Sequence, residues 1–181
     1  MEENLRRKTI WDAAGMSGLV LGLLLCATLF AGSFISCSSL SDVAKSGIGM
    51  ILSFVRIGGF IFILALLMRL FNTSHPELER RDCFRFGRAA AISSGMIYGA
   101  AGLLDSAYIH HDLYVELYTL TLDMSTSVAG PDKAGTTELI MNNIPEFTFF
   151  SYFLNTAFWG TVLAYILYRR VPRQPKNNEL E

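Results

Sequence analysis

The sequence predicts an all-α integral membrane protein: a four-helix bundle with both termini inside and an outer-facing helical segment between its third and fourth spans. Three observations carry that prediction. The chain is 51% hydrophobic and only 17% charged, with a mean hydropathy of +0.36, which is more apolar than an ordinary soluble domain. Four apolar segments, at about 13–35, 48–71, 86–108 and 147–168, each offer roughly the twenty residues that cross a hydrocarbon core of about 30 Å. Basic residues gather at alternate ends of those segments. Backbone groups in lipid have to be satisfied within their own segment, so each span is a helix.

Orientation follows from the basic residues. Arg6, Arg7 and Lys8 precede the first span, and Arg69, Arg80, Arg81, Arg85 and Arg88 lie at or between the facing ends of the second and third. Arg169, Arg170, Arg173 and Lys176 follow the fourth, whereas the two opposite loops hold only Lys45 and Lys133. Positive residues stay on the cytoplasmic side, which puts both termini and the middle loop there. Residues 1–171 then form one membrane domain, followed by a polar, disordered tail at 172–181. A basic start, an apolar run and Phe34-Ile35-Ser36-Cys37 also loosely suggest a cleaved lipoprotein signal, but the apolar run is long for one and three more spans follow.

The first span places small residues four apart at Ala14, Gly18, Gly22 and Cys26. The second contains Arg56, followed by Gly58 and Gly59. The third runs through Gly87, Ala91, Gly95 and Gly99, and the fourth through Thr156, Gly160 and Ala164. Residues four apart share a helix face, and small ones let a second backbone approach closely, a main source of association in lipid. These ridges serve either packing within the chain or a face for a second copy.

Charged residues inside a span are costly and face a protein interior or a water-filled cavity. At 1.5 Å per residue Arg56 lies roughly 12 Å below the outer surface. Asp105 and Asn155 fall near the same depth. A pair between Arg56 and Asp105, with Asn155 beside it, would satisfy all three, as a buried clamp on helix register or as a ligand or ion site.

The segment at 110–145 is the largest stretch expected outside the membrane. Asp112, Glu116, Thr119 and Asp123 share one helical face, and Leu113, Leu117, Leu120 and Met124 the neighbouring one. Asp112 to Met124 therefore reads as an extension of the third span or an amphipathic helix on the outer surface, broken by Ser125 to Pro131. Thr136 or Thr137 can begin a short helix, and Asn143-Ile144-Pro145-Glu146 reads as an N-cap box opening the fourth span. The acidic face is a solvated one or a surface for a cation or basic partner.

No catalytic set is visible. His110 and His111 point about 100° apart on a helix and do not readily chelate one metal, and zinc-helix, nucleophile-elbow, phosphate-loop and dinucleotide motifs are missing. The cysteines Cys26, Cys37 and Cys83 fit neither a disulfide nor a zinc pattern. Neither a cofactor, a metal, a nucleic acid nor an identifiable small-molecule ligand is expected; the expected partners are the lipid bilayer and another membrane protein or a second copy.

Three local features together resemble the bacterial membrane proteins of the domain of unknown function 4199 family. They are Phe86-Gly87-Arg88-Ala89 opening the third span, a tyrosine-rich exit leading to an acidic outer helix near Asp123-Met124, and Phe158-Trp159-Gly160 in the last span running into a basic end. The chain departs from that family in lacking a clear Asp-Pro after the third span and in carrying Arg56. The resemblance implies a four-helix protein of the bacterial inner membrane with no assigned catalytic residues, a neighbour of polyprenyl-phosphate glycosyltransferases. The expected function is thus a non-enzymatic accessory or scaffold that packs with itself or with a partner membrane enzyme. The alternatives are a small homo-oligomeric transporter or channel using an Arg56–Asp105 pair, and an outer-facing lipid-modifying enzyme using His110, Asp112 and Glu116.

Overall fold

The computed structural model describes residues 2–76, 78–129 and 134–170, and every regular element among them is helical. In chain order these are α1 (Glu2–Ser36), α2 (Asp42–Ser74), α3 (Arg80–Leu104), a π-helical turn (Asp105–Ile109), α4 (His111–Ala129), α5 (Ala134–Asn142) and α6 (Ile144–Tyr168). The tail at 172–181 lies outside the described residues, as do Lys133, Arg173 and Lys176.

Among the described residues, three helices are long and apolar enough to cross a membrane: α1 from Arg6 onward, α2 and α6. The helix that holds most of the expected third span, α3, is not among them. Its place in the fold explains why. It lies between α1 and α6 and packs more extensively against each of them than any other two helices pack together. Ala89, Ala90, Ala91, Ser94, Gly95 and Gly99 are buried along it. A helix that faces other helices needs small residues more than large apolar ones.

The small-residue ridges are the contacts that hold this arrangement. A β-carbon added at Gly18 would sit 3.0 Å from the carbonyl oxygen of Ala90, and one at Gly22 would meet Ile97, so α1 and α3 run parallel. Gly99 lies against the Phe149 carbonyl (2.9 Å from such a carbon), Gly95 against Phe153, Gly160 against Ala91 and Gly87 against Ala164, so α6 runs antiparallel to α3. Gly87 also meets Met68, and Gly59 meets Leu24, which sets α2 antiparallel to α1 and α3. The ridges read from the sequence are therefore spent inside the chain. Contact between backbones this close tolerates no larger side chain.

Packing is uneven along α2. Its second half supplies Phe60, Leu64, Met68 and Phe71 to the core, where Phe71 stacks on Phe86 with ring centroids 4.2 Å apart. No residue from Asp42 to Gly59 is buried. Val43, Met50, Ile51, Phe54 and Ile57 stand exposed there.

The helix ends follow local chemistry. Lys45 Nζ donates to the Ser36 carbonyl at 2.9 Å, clipping the α1–α2 link. Glu79 and Asp82 form a reciprocal capping box at the start of α3. The expected N-cap box at Asn143 is not made. Asn143 instead closes α5, its backbone N–H donating to Ile140 and its side-chain amide to the Leu139 carbonyl at 2.8 Å. With α5 ending one residue earlier, the carbonyls at its end compete for this side chain and win. Nor does Ser125 begin a break: α4 runs on to Ala129. It is a separate helix, not a continuation of α3, because His110 leaves the helical conformation at φ −129°, ψ 42°.

Candidate functional site

The junction of α3 and α4 builds a polar interior in which Asp105 and Ser106 are fully buried. On an ordinary helix residues five apart lie roughly 140° apart around the axis. The wide turn at Asp105–Ile109, closed by the His110 N–H donating to the Asp105 carbonyl at 2.8 Å, brings them back together. His110 Nδ1 then meets Asp105 Oδ1 at 2.7 Å. Asp105 Oδ2 accepts from Ser33 Oγ of α1 at 2.7 Å and from the Tyr114 hydroxyl of α4 at 3.0 Å. Asp105 has no exposed surface, and three partners share its two oxygens. Wide turns of this kind recur at functional positions; here the turn ties α1, α3 and α4 to one carboxylate. Burial, and then Tyr152 and Asp105, push the Tyr114 phenol well above the usual tyrosine range, so it stays protonated and donates.

An aromatic layer continues the polar interior toward α2. The Tyr114 and Tyr152 hydroxyls are 3.4 Å apart, and the Tyr152 ring stacks on Tyr98 with centroids 4.6 Å apart. Arg56 Nη1 donates to the Tyr98 hydroxyl at 3.1 Å. Beside Arg56 lies a cavity of about 240 Å³ whose walls come from α1, α2, α4 and α6. It sits where the first half of α2 contributes nothing to the core. Arg56 is the one charged residue among those lining it.

A second ionic knot holds the other end of the molecule. Arg6 Nε donates to Asp82 Oδ2 at 2.7 Å, and Arg6 Nη2 pairs with the same oxygen. Arg85 Nη1 donates to Asp82 Oδ1 at 3.3 Å, and the Glu79 carboxylate stands 3.6 Å from Arg6. Asp82 is fully buried while Arg6 is one-third exposed, so this clasp fastens the start of α1 to the start of α3.

The expected pairing of Arg56 with Asp105 is not formed. Arg56 turns to Tyr98, and Asp105 is taken by Ser33, His110 and Tyr114. Depth counting places residues at one height but says nothing of direction around the axis, and the wide turn changes that direction at Asp105. Asn155 is exposed on α6 and does not join the cluster. Asp112 and Glu116 are exposed on α4; the side chain of Asp123 lies outside the described residues. His110 is nine-tenths buried against Asp105 and packs edge-on to Phe34 at 5.3 Å, apart in direction from His111, whose Nδ1 meets the Ser106 carbonyl at 2.9 Å. No disulfide joins Cys26, Cys37 and Cys83, and no group of three or more potential metal ligands occurs among the described residues.

Sequence reasoning missed Ser33, Tyr98, Tyr114 and Tyr152 as members of the site, and Arg6 and Asp82 as a clasp. The one signal available for any of them was the Glu79-x-x-Asp82 capping spacing. No protein-family model, curated protein or solved structure matches this chain.

Proposed function

We propose that the chain is a four-span protein of the bacterial inner membrane with both termini cytoplasmic, and that it is a non-enzymatic accessory subunit offering the first half of α2 to a second membrane helix. One observation supports this most directly. The ridge glycines Gly18, Gly22, Gly87, Gly95, Gly99 and Gly160 are filled from within the chain, whereas a β-carbon at Gly47 or Gly58 would meet nothing within 4 Å. Gly47, Ile51, Phe54 and Gly58 are all exposed and lie on one side of α2 at helical spacing. Small residues flanking two large apolar ones suit close helix packing in lipid. The partner is a second copy or a membrane enzyme, a glycosyltransferase acting on polyprenyl phosphate being the reading that the resemblance to the 4199 family suggests.

The test is photocrosslinking in native membranes, with the reactive residue at Phe54 or, as a control, at Phe150 on the exposed face of α6. A discrete adduct from position 54 alone supports the reading, and its mass separates a second copy from a larger partner. Equal, diffuse lipid labelling from both positions sinks it.

A further inference from the structure

We infer that the cavity beside Arg56 is a binding site for the head of an anionic, hydroxyl-bearing membrane lipid, phosphatidylglycerol being the simplest such molecule. The inference rests on the membrane-embedded reading and on no partner. The cavity lies on the opposite side of α2 from the exposed stripe, at Gly49, Leu52, Ser53 and Arg56.

Charge selects the sign of the ligand. Arg56 is the single charged residue in the lining, and among the described residues no carboxylate pairs with it. Of the five N–H donors of a guanidinium, one goes to Tyr98. An arginine within a membrane helix usually marks a ligand or ion position, and the fork geometry of its donors matches a phosphate.

Hydrogen-bond direction narrows the ligand further. Six lining residues carry hydroxyls, Thr28, Ser33, Ser36, Ser53, Tyr114 and Tyr152, and each has an acceptor for its proton, Tyr152 in the Tyr114 oxygen 3.4 Å away. Ser33 and Tyr114 donate to Asp105. Thr28 donates to the Leu25 carbonyl, Ser36 to Gly32 and Ser53 to Gly49. What these walls offer a guest is lone pairs. A ligand that complements the cavity therefore brings an anion for Arg56 and its own O–H donors for the hydroxyl oxygens. A glycerol phosphate head does both. A choline head has no donor and sets a fixed cation beside the arginine.

Size and setting point to a lipid rather than a free solute. A volume of about 240 Å³ is the space of roughly eight waters, enough for such a head but not for its chains. Leu29, Leu52, Leu113 and Leu117 form the apolar part of the lining, and beyond it the first half of α2 has no buried residue. The acyl chains would lie along that open side.

The test uses the full chain reconstituted in phosphatidylcholine vesicles containing a minority of phosphatidylglycerol, extracted in mild detergent and weighed with its retained lipids by native mass spectrometry. Wild type should keep one phosphatidylglycerol per chain at least about tenfold above its share of the bilayer. Arg56→Gln should abolish that enrichment. Leu52→Trp, which fills the cavity and leaves Arg56 in place, should abolish it as well, so the outcome does not hang on one variant folding. Enrichment unchanged in both folded variants, or none in wild type, overturns the site. So does displacement of the lipid by glycerol 3-phosphate at equal concentration, which would mean that a soluble phosphate is the ligand. Protein that enters the vesicles without lipid preference leaves the membrane reading standing; protein that does not enter them removes both.

Discussion

Asp105 ties α1, α3 and α4 together, and replacing it by alanine gives the most demanding test of the packing around it. The change strands three donors at once. Ser33 can turn its hydroxyl to a backbone carbonyl one turn back on α1, and His110, one-tenth exposed, can reach water. Tyr114 is 4% exposed and has only Tyr152, 3.4 Å away, as a weak substitute. One stranded buried group costs about 1–3 kcal/mol, and each of the two partly rescued bonds adds about 0.6 kcal/mol, the mean for side-chain hydrogen bonds measured within membranes. The sum is a loss of about 2–4 kcal/mol. Asp105→Asn keeps one acceptor and should cost only about 1 kcal/mol. Reversible unfolding in mixed micelles, followed by far-ultraviolet circular dichroism, measures both. A second alanine at Ser33 should add less in the Asp105→Ala background than in wild type, because the two share one bond. An Asp105→Ala protein within 0.5 kcal/mol of wild type, or fully additive effects, would refute the shared-carboxylate picture.

Other expectations follow from the same contacts. Gly18→Val forces a side chain into Ser93 and the Ala90 carbonyl and should cost about 1–3 kcal/mol, while Gly32→Ala, with nothing within 4 Å of the new carbon, should stay within about 0.5 kcal/mol of wild type; equal effects in the same unfolding assay would contradict the parallel α1–α3 contact. Asp82→Asn should cost about 1–2 kcal/mol, less than a fully buried pair because Arg6 is one-third exposed, and should speed proteolysis at the start of α1; unchanged cleavage there would argue against the clasp. The Tyr114 phenol is raised by burial first and by Tyr152 and Asp105 next. A raised folded value means its contribution to stability is whole below the ordinary tyrosine pKa near 10 and is lost as pH climbs toward the folded one. Tyr114→Phe should therefore leave the absorbance titration at 295 nm between about pH 9 and 11 unaltered; loss of one tyrosine's amplitude would show that the phenol is reached by solvent.

Much of the helical framework was legible because composition alone selects it. An uninterrupted run such as Gly18–Phe30 has no other way to satisfy its backbone in an apolar setting. That α3 lies against other helices was legible too, since Gly87, Ala91, Gly95 and Gly99 at fourfold spacing serve no purpose on a helix surrounded by bulk lipid, but the spacing left open whether those helices belong to this chain or to a second copy. What the spacing did not reveal is who meets whom. Arg56 and Asp105 stand at similar heights in the sequence, yet the direction of a side chain around its helix depends on crossing angles and, at Asp105, on one wide turn that no local motif announces. Ser33 sits within the expected first span with no motif to single it out, and Arg6 read as one more residue setting topology. Each acquires its role from a residue more than seventy positions away, a pairing that a single sequence does not encode in any local pattern. Asn143 misled for the opposite reason: its local signature was sound, but a second helix end lay one residue away and took the side chain.

Whether α3 crosses the membrane decides the four-span reading, and the chain carries a natural reporter for it. Cys37 is exposed in the link between α1 and α2. In intact cells carrying Cys26→Ala and Cys83→Ala, a membrane-impermeant maleimide should label Cys37. With Cys37 also removed, it should label Glu116→Cys on α4 and spare Ser74→Cys at the end of α2 until the cells are opened. Labelling of Ser74→Cys and Glu116→Cys from the same side would place both ends of α3 on one face of the bilayer and contradict the four-span protein.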